Sequence, residues 1–221
     1  TYVKFHHDVL AAADTVLPVH AVHSIDEFSC RLMGKEREPR TAEKLARDLK
    51  HAIATRVGPR LRCSIGIAPN RVLAKLASDM QKPDGLVILR REELPDRLFG
   101  LDLTDLPGVG QKTRARLHAK GIRSIEQLVR MSEREMAGAW ESIVGRWWYH
   151  MLRGDEFTES ASRRRSIGHS RVLAPQRRVD DTARAVVIRL LEKAAARARR
   201  LEYWSRRLCL SIRYIDGRNW M

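Results

Sequence analysis

Between residues 61 and 89 the hydrophobic pattern changes character twice, and that succession constrains the fold more than any other stretch of the chain. Residues 61–67 alternate as a strand does, residues 70–78 are helical, and residues 85–89 form a second strand after the breaker Pro83-Asp84-Gly85. This order of alternating strands and helices predicts a mixed α/β layer. Upstream, residues 2–16 have helical spacing at Val9, Leu10, Ala13 and Val16, stopping before Pro18. Residues 41–57 read as a helix with Thr41 as N-cap and Leu45, Leu49, Ala52 and Ile53 on one face, closed by Gly58-Pro59.

Two adjacent carboxylates, Asp26 and Glu27, sit between the apolar runs 19–22 and 28–33. Neighbouring side chains of a regular strand point to opposite faces, so these two converge on one ligand only if the backbone turns at Ser24-Ile25-Asp26-Glu27. Two hard oxygen donors at such a tip suit Mg²⁺, which keeps several waters and commonly shares its shell with substrate phosphates. An acidic turn taken alone is more often merely solvated. His20 and His23, three apart on the strand that enters the turn, face opposite sides and share no metal on that reading.

The run Cys63-Ser-Ile-Gly-Ile-Ala-Pro-Asn70-Arg-Val-Leu-Ala-Lys75-Leu-Ala-Ser-Asp79-Met-Gln-Lys82-Pro83-Asp-Gly85, taken with Ser24–Glu27 forty residues earlier, resembles the catalytic palm of the Y-family translesion DNA polymerases, the DinB/UmuC class. The resemblance implies that Asp26 and Glu27 are catalytic metal ligands and that Lys82 meets the phosphates of an incoming deoxynucleoside triphosphate. It also implies a two-metal Mg²⁺ site whose third carboxylate lies on a strand outside this chain. Phe28-Ser-Cys-Arg31 departs from the aromatic and aspartate that commonly follow this turn in the family.

Leu106-Pro107-Gly108-Val109-Gly110-Gln111-Lys112-Thr113, followed by Leu117, Gly121-Ile122 and Leu128, reads as a helix-hairpin-helix. Proline and two glycines permit a tight turn whose backbone N–H groups open onto a new helix, an anion site suited to a DNA phosphate. Lys112, Arg114 and Arg116 flank it, and backbone donors there position a duplex without reading its bases. Trp140, Trp147, Trp148 and Tyr149 read as the core of a small helical domain.

A net charge of +15 points to a polyanionic partner, and the charge is uneven. Residues 1–101 hold 17 basic and 13 acidic side chains, residues 102–162 hold 9 of each, and residues 163–221 hold 16 against 5, a surplus of +11. No apolar run approaches the roughly 20 residues that span a bilayer. Three scattered cysteines, Cys30, Cys63 and Cys209, form no disulfide framework or zinc spacing, which predicts a reducing, cytoplasmic setting.

The expected fold class is α/β (α+β): a partial polymerase palm at 1–101, a helix-hairpin-helix thumb at 102–154, a linker at 155–165 and a partial α/β little-finger domain at 166–221. In the last segment, residues 166–173 suggest a strand, 180–203 a long amphipathic helix, 208–214 a strand, and Asp216-Gly217-Arg218-Asn219 a hairpin turn. The resemblance adds DNA contacts at Ser24, Gly108, Val109, Gly110, Lys112, Thr113, Arg165, Ser166 and Arg171. It implies low-fidelity synthesis past damaged template bases, a DNA-repair role within a DNA-damage (SOS) response, on primer-template DNA, with a sliding clamp reached through a segment outside this chain. The family's first strand and fingers, and the end of its little finger, have no counterpart in these residues, so the chain alone is expected to be inactive. A catalytically degenerate DNA-binding accessory protein and a helix-hairpin-helix repair protein are the competing classes.

Overall fold

The computed structural model describes residues 2–156 and 166–220. The chain divides into two compact units, Thr1–Thr158 and Glu159–Met221.

The first unit begins with helix α1 (Tyr2–Asp14), where the small buried side chains Ala12 and Ala13 allow close packing against Leu49 and Ile53 of α2 (Pro39–Arg56). Asp14 Oδ1 accepts a 2.7 Å bond from the Val19 amide, fixing the entry to β1 (Val19–Val22). Strand β1 pairs antiparallel with β2 (Phe28–Cys30), with an irregularity between Val19 and Ala21. The second strand ends three residues before the expected Met33, because Arg31 turns toward Glu156 and the Met33 amide is taken by Glu36 Oε2 at 2.7 Å. Helix α2 also starts earlier than expected. Pro39, with its fixed φ and no N–H to satisfy, occupies the first turn after the N-cap Glu38, so Thr41 lies inside the helix.

Strand β3 (Ile65–Ile67), helix α3 (Arg71–Met80) and β4 (Leu86–Ile88) form a βαβ unit whose strands pair in parallel, Ile65 opposite Leu86. A β-carbon built on Gly66 would overlap the Ala74 carbonyl and the Ser78 amide, so only glycine lets β3 lie this close to α3. The helix begins where Asn70 Oδ1 accepts from the Leu73 amide at 2.9 Å.

Four short helices follow: α4 (Gln111–Ala119), α5 (Ile125–Arg130), α6 (Glu133–Trp140) and α7 (Ile143–Met151). Serines 124, 132 and 142 cap the last three. One buried apolar cluster runs from Leu73 and Leu76 of α3 through Leu98, Leu106, Leu117 and Leu128 to Trp148 and Leu152. Trp140 and Trp148 stack within it at 6.3 Å between ring centres, as core residues. A β-carbon built on Gly145 of α7 would overlap the backbone of Met136 and Ala137 in α6, so glycine lets the two helices pack this closely.

In the second unit α8 (Asp180–Arg200) carries Asp180 and Asp181 in its first turn and Arg197, Arg199 and Arg200 in its last, complementing the helix dipole at both ends. A five-residue loop joins β5 (Ile212–Arg213) to β6 (Asn219–Trp220), with Gly217 in the left-handed conformation at φ +84°. Residues 166–173 form no strand: they have no ladder partner among the described residues, and alternation alone supplies none. The remaining expected strand, 208–214, contracts to β5 for the same reason.

Candidate functional site

The turn between β1 and β2 is closed by two bonds to the Glu27 carbonyl, from the His23 amide at 2.8 Å and the Ser24 amide at 3.1 Å. It carries both acids at one tip. Ser24 Oγ donates to Asp26 Oδ1 at 2.5 Å, and this bond holds the Asp26 carboxyl below its ordinary pKa, ionised at neutral pH. From α1, His6 Nδ1 donates to the Ile25 carbonyl at 2.8 Å. His23 Nε2 lies 2.9 Å from Ser29 Oγ, with its pKa lowered by partial burial and by nearby Arg71.

Helix α3 and the turn after it bring the lysines. Lys75 Nζ lies 2.7 Å from Glu27 Oε1 and 3.0 Å from the Asp79 carboxylate, and Lys82 Nζ lies 2.7 Å from Asp79 Oδ1. Glu27 is thus linked to Lys82 through Lys75 and Asp79, two residues the sequence left without a role. Their helical spacing of four was the available signal. The donor set fits a hard divalent cation: two carboxylates at one exposed tip, one of them kept ionised by a hydroxyl. Among the described residues no group of three His, Cys, Asp or Glu side chains gathers.

A second feature lies at the start of α4. Gly108 has φ +84°, and the Val109 amide closes the turn onto the Leu106 carbonyl at 2.9 Å. Gly110, the N-cap, supplies no side-chain acceptor, so the first-turn amides of Gln111, Lys112 and Thr113 lack an intrahelical partner. Gly108, Gly110 and Lys112 are exposed, whereas the Val109 side chain is buried in the core and offers a ligand only its backbone. Ser166 and Arg171 are exposed in the second unit, and Arg165 lies outside the described residues.

Asn70, 8% exposed, is the buried polar side chain of the described residues. Besides capping α3 it donates to the carbonyls of Met151 at 2.9 Å and Asp155 at 3.1 Å. Arg91 adds bonds to the Gly154 carbonyl and the Asp155 carboxylate, and Arg31 pairs with Glu156 at 3.1 Å. Residues 155 and 156, of linker composition, are thus tied to the first unit.

Residues 1–79 match the impB/mucB/samB family, residues 104–155 the DNA polymerase-iota thumb domain, and residues 164–220 the impB/mucB/samB family C-terminal domain. A DNA polymerase IV of Moorella thermoacetica is 29% identical over 216 residues, 96% of this chain and 53% of that protein. A DNA polymerase IV of Aeromonas hydrophila is 39% identical over 139 residues, 61% of this chain and 38% of that protein. Among solved structures, the insertion ternary complex of Dbh DNA polymerase aligns at a TM-score of 0.61 and 26% identity, covering 72% of this chain and 46% of that one. DinB from Sulfolobus solfataricus aligns at 0.56 and 28%, covering 68% and 43%. The chain spans about half the length of these relatives or less. No helix of the described residues is long and apolar enough to cross a membrane.

Proposed function

The chain belongs to the Y family of DNA polymerases, and from that premise we propose that its protein extends a primer on damaged template DNA, with Asp26, Glu27 and Lys82 at the reacting end and the Gly108–Thr113 turn on the duplex. The continuous row of ion pairs from Glu27 at the β1–β2 tip through Lys75 and Asp79 to Lys82 supports this reading. Asp26 and Glu27 would hold Mg²⁺, which when bound supplies Lewis-acid stabilisation of the attacking and leaving oxygens of phosphoryl transfer.

Lys82 would leave Asp79 to donate to the triphosphate, placing a fixed cation where negative charge develops on the leaving group. The amides of Gln111, Lys112 and Thr113 would bind a backbone phosphate of the duplex, assisted by the Lys112 charge. Ser24, engaged with Asp26, orients that carboxylate first and is available to DNA only secondarily. Ser166, Arg165 and Arg171 would add phosphate contacts from a basic segment, in a domain order of palm, thumb and little finger. The reading places the protein in the cytoplasm with the chromosome.

With two carboxylates and no third among the described residues, residues 1–221 alone should bind DNA without incorporating nucleotides. The test of the assignment uses the whole protein. Asp26→Ala and Glu27→Ala should each abolish primer extension in Mg²⁺ while leaving duplex affinity within about twofold. Full extension by the double variant refutes it.

A further inference from the structure

Between the proposed metal ligand Glu27 and the proposed phosphate-binding Lys82 stand two side chains without a function so far. Lys75 serves two carboxylates, Glu27 at 2.7 Å and Asp79 at 3.0 Å, and Asp79 in turn serves two ammonium groups, Lys75 and Lys82. Helix geometry imposes this arrangement. Positions 75 and 79 are one turn apart on one face of α3, and Lys82 follows Asp79 by three residues, just past the end of the helix.

The Lys75, Asp79 and Glu27 side chains are 31%, 34% and 43% exposed, half-shielded from water, where ion pairs are screened less than on an open surface. Partial burial works against the charges of Lys75 and Asp79. The mutual hydrogen bonds outweigh it, leaving the Lys75 ammonium above its ordinary pKa and the Asp79 carboxyl below its own. The ion pairs themselves alternate in sign along the row: Glu27, Lys75, Asp79, Lys82.

We propose that Lys75 and Asp79 are positioning residues that couple the two ends: Lys75 competes with a divalent cation for Glu27, and its release onto Asp79 loosens Lys82 for a phosphate. The inference rests on the polymerase reading above. Once Glu27 ligates a cation, Lys75 loses that carboxylate and is repelled toward Asp79. Two ammonium groups then share one carboxylate, and the more exposed of them, Lys82 at 59%, is the one that leaves. By linkage, a phosphate that draws Lys82 away strengthens the Lys75–Asp79 pair and clears Glu27 for the cation.

The experiment uses the whole protein, with Mn²⁺ as the cation and inorganic triphosphate as the anion. Free Mn²⁺ is titrated by its paramagnetic resonance signal, and folding of every variant is checked by circular dichroism. Lys75→Met removes the competitor and should tighten Mn²⁺ binding severalfold. Asp79→Asn leaves Glu27 as the only carboxylate partner of Lys75 and should weaken Mn²⁺ binding severalfold. Loss of a purely structural contact would move both variants in the same direction. The gain in triphosphate affinity that Mn²⁺ produces should shrink by about fivefold in each variant. Chelation of Mn²⁺ by triphosphate in solution is common to all the proteins and cancels. Where Lys75→Met fails to fold, Lys75→Gln replaces it. Unchanged Mn²⁺ affinity in both variants, or a shift of the same sign, overturns the coupling. If Asp26→Ala and Glu27→Ala also bind Mn²⁺ as the unaltered chain does, the metal assignment itself falls. If those two lose Mn²⁺ while the Lys75 and Asp79 variants bind normally, the coupling alone falls.

Discussion

Asn70 caps α3 with its carbonyl oxygen and spends both amide hydrogens on carbonyls 81 and 85 residues later. Asn70→Ala removes the cap and strands those acceptors in a buried place, a loss of about 2–3 kcal/mol. Asn70→Asp keeps the cap but turns a carboxylate oxygen toward two carbonyl oxygens, so it should be at least as damaging. Urea unfolding of the two variants checks the order, and an aspartate variant as stable as the unaltered protein would show that the long-range bonds contribute nothing. The thiols give a second expectation at this scale. Burial pushes the Cys30 thiol up to about 11 and raises Cys63 as well, whereas Cys209 is exposed. Nucleophilic attack requires thiolate, so iodoacetamide at pH 8 should label Cys209 well before the other two, as peptide mapping would reveal.

At the scale of elements, the turn into α4 and the α6–α7 contact both depend on glycine, for different reasons. Gly108 sits at φ +84° with open space around it, so Gly108→Val meets backbone strain of about 1–2 kcal/mol without a clash. Distorting that turn should weaken duplex binding and leave the salt dependence of binding nearly unaltered, because no charge is removed. Gly110, at φ −87° with nothing near its missing β-carbon, should accept alanine with a stability change within about 0.5 kcal/mol. Gly145 is the opposite case. Its backbone conformation is ordinary helix, yet an added methyl would overlap the Met136 carbonyl, so Gly145→Ala should lower the thermal midpoint by separating α6 from α7.

For the molecule as a whole, charge decides two further expectations. The surplus of +11 in residues 163–221 should supply most of the salt-dependent DNA affinity. Neutralising Arg163, Arg164, Arg165 and Arg171 together should flatten the slope of log affinity against log salt by roughly three to four units if each meets a phosphate. A salt titration showing an unaltered slope would remove the basic segment from the interface. On the acid side, carboxylates set the pH dependence of stability. Hydrogen bonds from partner lysines hold Asp84 and Glu141 below their ordinary values, and Asp79 is lowered by Lys82 and Lys75 despite its partial burial. Carboxylates depressed in the folded state contribute stability that is present above their unfolded pKa, about 4, and lost as pH falls through the lower folded values. Thermal midpoints should therefore drop below about pH 4, after a smaller decline below about pH 6.5 from His23, whose imidazole is held below its ordinary pKa.

The order of elements in residues 2–152 was legible in the chain, because hydrophobic period, caps and breakers are local signals: Asn70 at the start of α3, Pro83-Asp84-Gly85 before β4. So was the position of Asp26 and Glu27, since two carboxylates flanked by apolar runs require a turn. Local signals misled where a partner decides the outcome. Residues 166–173 alternate like a strand but have no ladder in the structure, and Thr41 resembles a cap that Pro39 pre-empts. Other features had no local signal at all. That Asn70 reaches Met151 and Asp155, and that Lys75 and Asp79 link Glu27 to Lys82, depends on contacts between elements distant in sequence. Periodicity tells which face of α3 is polar, but only the packing of the βαβ unit beside the β1–β2 hairpin decides which carboxylate that face meets.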